Sequence, residues 1–261
     1  MDIIDTHCHI DLPVFDQDRD QIIKTCQKAG INQIIVPAIE AASWQTLLEI
    51  SKTHTTLYPT LGLHPVFINR HNESDLEKLD ELAEQCSPLA IGEIGLDFFI
   101  TDTDKIKQKH FFEEQLLIAK KHQLPVVLHV RKAHDDVLSH LKDKDLPGGT
   151  CHAFNGSYEQ AKRYIDLGFK LGFGGTLTFP NARKIHQLAK QIPLESIVLE
   201  TDAPDMSGYA HQGQRNQPDY ITDALTALSA IKQVSPEQVA DQTSLNARQV
   251  FKFNPDNNAE T

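Results

Sequence analysis

Within its first ten residues the sequence places two histidines one residue apart, in the segment DTHCHIDLPVF. Residues two positions apart in a β-strand point to the same face, so His7 and His9 would project together and Cys8 would point away. A strand can present two nitrogen ligands to one metal ion in this way. Two ordinary polar residues of a buried strand are the alternative interpretation, and the pair alone does not decide between the two.

Other imidazole and carboxylate groups recur in or at the end of short apolar segments. His64 lies near the end of LYPTLGLHP, His129 lies in VVLHVR, and His152 lies in GTCHAF. Glu93 lies in LAIGEIGLD, and Asp202 ends SIVLETD. Imidazole and carboxylate are the ligands expected for zinc, manganese, iron or, with more oxygen, magnesium. These donors exceed what one ion needs, which favours a centre for two ions.

Eight short apolar segments alternate with longer amphipathic stretches along the chain. The segments are, in order, IIDTHCHI, QIIVPAI, LYPTLGLHP, LAIGEIGLD, VVLHVR, GTCHAF, FKLGFGG and SIVLETD. Such alternation predicts a parallel sheet, and about 250 residues is the usual size of a closed barrel of eight strands and helices. We therefore predict an α/β fold, a (β/α)8 TIM barrel that forms a single domain over residues 1–253, followed by a disordered tail at 254–261.

An open, doubly wound sheet is the alternative fold, but no G-x-G-x-x-G follows the first strand. In a TIM barrel the active site lies at the carboxyl ends of the strands, where all the donors above fall. Core packing alone would not explain costly polar groups at that end of several strands. Histidines in helical stretches are instead predicted to lie on the surface; they are His54, His110, His122, His134, His140 and His186.

Composition restricts the partners and the compartment. A formal net charge of -11 argues against a broad basic surface for nucleic acid, so any phosphate partner must be held locally. The cysteines, Cys8, Cys26, Cys86 and Cys151, form no C-x-x-C pair, which favours reduced thiols in a cytosol-like compartment. The start, MDIID, has no basic region and no long apolar segment. We expect a cytoplasmic protein without a signal peptide, a membrane span or an obligate protein partner.

The ordered set of motifs resembles the TatD family of metal-dependent hydrolases, which are often described as deoxyribonucleases and belong to the amidohydrolase superfamily. The resemblance runs from about Asp2 to about Phe253 and is carried by DTHCHID, GLHP, IGEIGLDFF, LHVRKAHDD, CHAFNGS, GFGGTLTFP and LETDAPDM. It implies a set of metal ligands made of His7, His9, Glu93, His129, His152 and Asp202. Glu93 distinguishes the chain from relatives in which a modified lysine bridges the metals.

The resemblance further implies hydrolysis of a phosphodiester in DNA by hydroxide generated at two divalent ions, which would be zinc, magnesium or manganese. One ion would be held by His7, His9, Glu93 and Asp202, and the other by Glu93, His129 and His152. Glu93 would bridge the ions, and Asp202 would serve as the general base. Glu200, two residues before Asp202, is a candidate for a carboxylate that orients the metal ligands without binding the metal itself.

His64 and Arg131 are candidate contacts to a substrate phosphate, through a hydrogen bond and a positive charge. The substrate expected is DNA or a short oligonucleotide, held by few contacts because the chain has no large basic stripe. One alternative is hydrolysis of a carboxylic ester or cyclic amide by the same centre. Another is a barrel that binds metal or nucleic acid without catalysis, although no ligand of the set is missing.

Overall fold

The computed structural model of the protein describes residues 1–253. Within them the chain forms eight strands: β1 Ile3–Asp5, β2 Ile31–Pro37, β3 Leu57–Thr60, β4 Ile91–Asp97, β5 Val126–Arg131, β6 Gly149–Cys151, β7 Phe169–Phe173 and β8 Ile197–Leu199. Neighbouring strands pair in parallel in the orders β1-β2-β3 and β4-β5-β6-β7-β8. The expected tail, residues 254–261, lies outside the described residues.

Two further contacts close the sheet into a barrel. A parallel bridge between Leu61 and Ile91 joins β3 to β4. On the other side, the Thr6 N–H donates to Leu199 O over 3.0 Å, and a bridge joins Cys8 to Ala203, so β1 lies beside β8. The predicted TIM barrel is therefore confirmed, and the open sheet is excluded.

Nine α-helices surround the strands within residues 1–253. They are α1 Arg19–Lys28, α2 Trp44–Thr53, α3 Glu73–Cys86, α4 Lys105–Lys121, α5 His134–Leu141, α6 Tyr158–Asp166, α7 Arg183–Gln191, α8 Ile221–Lys232 and α9 Pro236–Phe251. Side chains cap the starts of some of them: Asp104 accepts the N–H groups of Ile106 and Lys107 at α4, and Ser157 accepts the N–H of Gln160 at α6. No helix in this part of the chain is both long and apolar enough to cross a membrane.

The last helix, α9, packs against one end of the barrel. An apolar cluster combines strand residues with residues of α9 and consists of Ile4, Ile35, Ala90, Val127, Val198, Ala247, Val250 and Phe251. A larger cluster of buried side chains lies between the strands and the outer helices. Because α9 packs against β1 and β8 at one end, the carboxyl ends of the strands stay open at the other.

The first strand is shorter than the sequence predicts, and His7 and His9 lie beyond its end. The reason is Asp5, whose carboxylate Oδ1 accepts the N–H groups of His7 (3.2 Å) and Thr201 (3.0 Å). Its Oδ2 accepts the hydroxyl of Thr201 over 2.6 Å. The Asp5 side chain thus accepts the backbone N–H groups of His7 and Thr201, which a longer pair of strands would use for hydrogen bonds between strands. The chain after Asp5 therefore leaves the strand and turns toward the mouth of the barrel.

One of the predicted surface histidines is buried. His134 begins α5 with 7% of its surface exposed, and its ring nitrogens lie 3.3 Å from the Tyr164 hydroxyl and 3.3 Å from Asn155 Oδ1. The prediction for His134 was wrong because the first turn of α5 packs against α6. Burial lowers its pKa below the ordinary value of histidine, so the ring is neutral near pH 7.

Candidate metal centre

Glu93 lies at the centre of the cluster, in the middle of β4, with 2% of its side chain exposed. Its Oε2 is 3.2 Å from His7 Nε2 and 3.4 Å from His9 Nε2. Its Oε1 is 3.1 Å from His129 Nδ1 and 3.0 Å from His152 Nε2. The two oxygens of one carboxylate therefore face two separate groups of imidazole nitrogens.

The first group contains the histidine pair that follows β1 and the carboxylate that follows β8. His7 Nε2 and His9 Nε2 are 3.3 Å apart, and Asp202 Oδ1 lies 3.6 Å and 3.7 Å from them. Asp202 is held there because its N–H donates to His7 O over 2.8 Å, across the seam that closes the barrel. The closure of the sheet thus brings together residues 195 positions apart.

The second group comes from neighbouring strands β5 and β6. His129 lies within β5, and His152 directly follows β6. His129 Nδ1 and His152 Nε2 are 3.2 Å apart. His64, which caps the 310 helix Pro65–Arg70, places its Nε2 3.1 Å from Glu93 Oε1. The structure therefore brings all six expected ligand residues, and His64, into one cluster.

The donor spacings fit bound metal ions. Two ligands held about 2.0–2.1 Å from one tetrahedral ion lie about 3.3–3.4 Å apart. The nitrogen and oxygen atoms of each group lie 3.0–3.7 Å from one another. Pairs of imidazole nitrogens facing each other also need a shared cation or proton, because two lone pairs repel. The residues present thus suit divalent ions on both sides of Glu93.

Hydrogen bonds on the outer ring nitrogens decide which histidines can be ligands. His9 Nδ1 donates to Pro37 O over 3.0 Å, and His129 Nε2 donates to Asp97 Oδ2 over 3.1 Å, so a lone pair faces the cluster in both. His64 differs, because its Nδ1 accepts the Val66 N–H and its neutral ring must carry hydrogen on Nε2. His64 therefore donates to Glu93 and has no lone pair for a metal.

Glu200 lies close to the cluster with 2% of its side chain exposed, but it does not hold His152 by a hydrogen bond. Its Oε1 accepts the Ala153 N–H, and His152 Nδ1 is 3.8 Å away. Within residues 1–253, neither Glu200 Oε2 nor His152 Nδ1 has a hydrogen-bond partner. Burial raises the pKa of Glu200 to about 8, so the group is largely protonated at pH 7.

The pKa values of the two central carboxylates shift in opposite directions. Burial alone would raise the pKa of Glu93, but the surrounding histidines lower it well below the ordinary value of glutamate. Burial raises the pKa of Asp202, and the nearby His152 and His9 offset this only in part. Glu93 therefore stays ionised, whereas Asp202 is the more basic of the two carboxylates.

Asp97, which ends β4, is a supporting residue that the sequence reasoning missed. Its Oδ1 accepts the N–H groups of Phe99 and Ile100, while its Oδ2 holds His129. Its side chain is 1% exposed. The only signal in the sequence is its position after GEIGL, where it looks like an ordinary carboxylate at a strand end.

We expect Asp97→Asn to weaken metal binding by about 10–100-fold, since the amide can turn its NH2 toward the ring and reverse the tautomer of His129. Competition against a metal-binding dye would measure the affinity. Asp80→Asn is the matched control, because Asp80 Oδ1 contacts His122 Nε2 over 2.7 Å on the outer surface. Equal affinities for Asp97→Asn and the control would show that Asp97 does not orient His129.

The cluster forms the floor of a cavity of about 610 Å³ at the mouth of the barrel. The apolar parts of its wall include Val66, Phe67, Phe154 and Met206. Arg131 is exposed at the rim, two residues beyond His129 on the same face of β5. A ligand that reaches the donors therefore enters a cavity that Arg131 lines.

The similarity to known proteins extends over the full barrel. The TatD related DNase family matches residues 4–252. An uncharacterized metal-dependent hydrolase of Escherichia coli (strain K12), YjjV, is 40% identical over 251 residues, which cover 95% of this chain and 97% of YjjV. A metal-dependent hydrolase of Haemophilus influenzae is also 40% identical, over 96% of this chain and all of its own length. The crystal structure of YjjV, a TatD homologue, matches with a TM-score of 0.93 at 39% identity and covers 97% of this chain and 98% of its own.

Proposed function

The chain belongs to the TatD-related DNase family of metal-dependent hydrolases, and from this premise we propose that it hydrolyses phosphodiester bonds in DNA with two divalent ions. The observation that carries the proposal is the position of Glu93 between two groups of donors. A single carboxylate shared in this way is suited to two ions a few ångströms apart, as in enzymes that displace an oxygen from phosphorus.

His7, His9, Glu93 and Asp202 would hold one ion, and Glu93, His129 and His152 the other. When bound, such ions supply Lewis acidity and lower the pKa of water enough to provide a nucleophile near pH 7. Zinc, manganese and magnesium are the candidates. The many imidazole nitrogens favour zinc or manganese over magnesium, because magnesium prefers oxygen ligands.

Asp202 is the proposed general base. Both carboxylates line the cavity, but the Asp202 side chain is 15% exposed and that of Glu93 only 2%. As the water oxygen forms its bond to phosphorus, the Asp202 carboxylate accepts the proton, and the P–O bond to the leaving oxygen breaks with its electron pair. Glu93 would keep its negative charge throughout, because a carboxylate binds a metal ion in its deprotonated form.

Two residues of the cavity are proposed to bind the substrate phosphate. His64 carries its hydrogen on Nε2 and can donate it to a phosphate oxygen in place of Glu93. Burial lowers the pKa of His64 to about 4, so it contributes a hydrogen bond and no charge at pH 7. Arg131 supplies the positive charge at the rim. Local charge at the mouth can thus oppose the net charge of -11.

We expect binding of a single-stranded oligonucleotide to weaken with salt at a slope of about 2 in the logarithmic plot, since each phosphate contact contributes about 0.7. Arg131→Ala should lower this slope by about 0.7 and weaken the binding of every sequence alike. Fluorescence anisotropy with calcium or without metal would measure both effects. Arg163→Ala, which removes an exposed arginine paired with Asp135, is the control and should leave the slope unchanged.

Turnover of several substrates by the metal-loaded protein tests the proposal. The substrates are single-stranded DNA, duplex DNA, bis(4-nitrophenyl) phosphate and a cyclic amide, each with zinc, manganese or magnesium. Hydrolysis of the phosphodiesters is the expected result. Hydrolysis of the amide alone would favour the amidohydrolase alternative, and binding without any turnover would favour a non-catalytic barrel.

We propose that the protein acts in the cytoplasm. Cys8, Cys26, Cys86 and Cys151 are all free thiols, and Cys86 is exposed. An exposed free cysteine suits a reducing compartment, where thiols do not oxidise to disulfides.

A further inference from the structure

An exposed aromatic ring lies beside the mouth of the cavity. Phe99 follows β4 by two residues, and 47% of its surface is exposed. The guanidinium carbon of Arg131 lies 3.7 Å from the centre of the ring, and Lys132 Nζ lies 4.8 Å from it. At 3.7 Å the guanidinium group is in stacking contact with the ring.

The position of this ring is fixed relative to the metal centre. The Phe99 N–H donates to Asp97 Oδ1 over 2.9 Å, and the other oxygen of Asp97 holds His129. The neighbouring Phe98 donates its N–H to Arg131 O over 2.8 Å and packs against the apolar core. One carboxylate thus connects Phe99 to a metal ligand, while Phe98 anchors the loop beside it.

Arg131 differs from most arginines of the protein in having no acidic partner. Five of the seven arginines form an ion pair with an aspartate or glutamate: Arg19, Arg70, Arg163, Arg215 and Arg248. Within residues 1–253, Arg131 and its neighbour Lys132 form none. An arginine without an acidic partner, stacked on an exposed ring, offers a positive charge and a flat surface together, which suits an anionic, aromatic ligand.

We propose that Phe99 and Arg131 form a stacking platform for one nucleobase of a single-stranded DNA substrate, next to the phosphodiester at the metal centre. This proposal rests on the proposed function and specifies that the DNA substrate is single-stranded. Bases stack on aromatic rings and on guanidinium planes, while Arg131 and Lys132 attract the adjoining phosphates. A base in a duplex is already stacked on both faces by its neighbours, so the platform would favour single strands or frayed ends.

The test is the binding of a fluorescent single-stranded oligonucleotide without metal. Phe99→Leu removes the aromatic face but keeps an apolar side chain, and it should weaken binding about tenfold, as expected for one lost stacking contact. Phe99→Trp keeps an aromatic face and should bind the strand as well as wild type or better. Tyr58→Leu is the control, because Tyr58 packs against Phe253 at the opposite end of the barrel, and it should change nothing.

A second comparison uses an oligonucleotide whose bases are replaced by abasic sites. Wild-type protein should bind the abasic strand about as weakly as Phe99→Leu binds the normal strand. The affinity for the abasic strand should be the same in wild type and in Phe99→Leu. Unchanged binding of the normal strand by Phe99→Leu would overturn the platform. The proposed function has a separate readout, since hydrolysis of bis(4-nitrophenyl) phosphate by metal-loaded wild-type protein involves no nucleobase. Its absence would overturn the proposed function whatever Phe99→Leu does to strand binding.

Discussion

Asp202→Asn should lower the rate of phosphodiester hydrolysis by about 10²–10⁴-fold, the usual effect of removing a general base. The amide fills the same space and keeps the N–H contact with His7 O, so folding should change little. It cannot accept a proton from the attacking water. Burial raises the pKa of the Asp202 carboxyl above the ordinary value of aspartate, which suits a proton acceptor.

The measurement must separate the loss of the base from the loss of an ion, because Asp202 is also a proposed ligand. Turnover is therefore compared at saturating metal, with the metal content of each sample determined. Asp205→Asn, which changes an exposed carboxylate in the wall of the same cavity, is the control and should keep most of the activity. Near wild-type turnover by Asp202→Asn at full occupancy would exclude Asp202 as the base.

Glu93→Gln should abolish measurable activity and reduce the binding of both ions. Glu93 gives one oxygen to each group of donors, and an amide supplies one neutral oxygen and an NH2 that points at imidazole nitrogens. Saturating metal should raise the melting temperature of wild type, since a ligand at about 100 times its dissociation constant stabilises a fold by about 2.7 kcal/mol. The variant should lose most of this increase.

Glu200→Gln is the matched control for Glu93→Gln. Both side chains are 2% exposed and lie beside His152, but Glu200 touches no nitrogen that faces the ions. Its carboxyl lies 3.8 Å from His152 Nδ1, the nitrogen that faces away from the ions. It should keep the melting-temperature increase caused by metal. An equal loss in both variants would point to a general effect of packing and not to a bridging role for Glu93.

The barrel and its donors could be predicted because both depend on patterns within short segments. Alternating strands and helices determine the fold class, and a barrel gathers the ends of its strands at one face. His129 and His152 could therefore be paired across 23 residues. The resemblance of the motifs to a known family supplied the division of the ligands between two ions.

Other features depend on contacts between distant segments, which the sequence does not display. Asp97 can accept a hydrogen bond from His129 because β4 pairs with β5, a contact that the sequence does not show. Asp5 ended β1 early because Thr201 was brought next to it. His134 looked like a surface residue of a helix until Tyr164 covered it. In each case an ordinary polar residue acquired its environment from a neighbour far along the chain.

The number of ions bound per chain tests the two-ion centre most directly. Purified protein is stripped with a chelator, equilibrated with zinc or manganese, freed of excess metal and analysed by atomic emission spectrometry. The two-ion centre predicts two ions per chain in wild type and one in His129→Ala and in His152→Ala. A reproducible value of one or zero in wild type, unchanged in both variants, would contradict it.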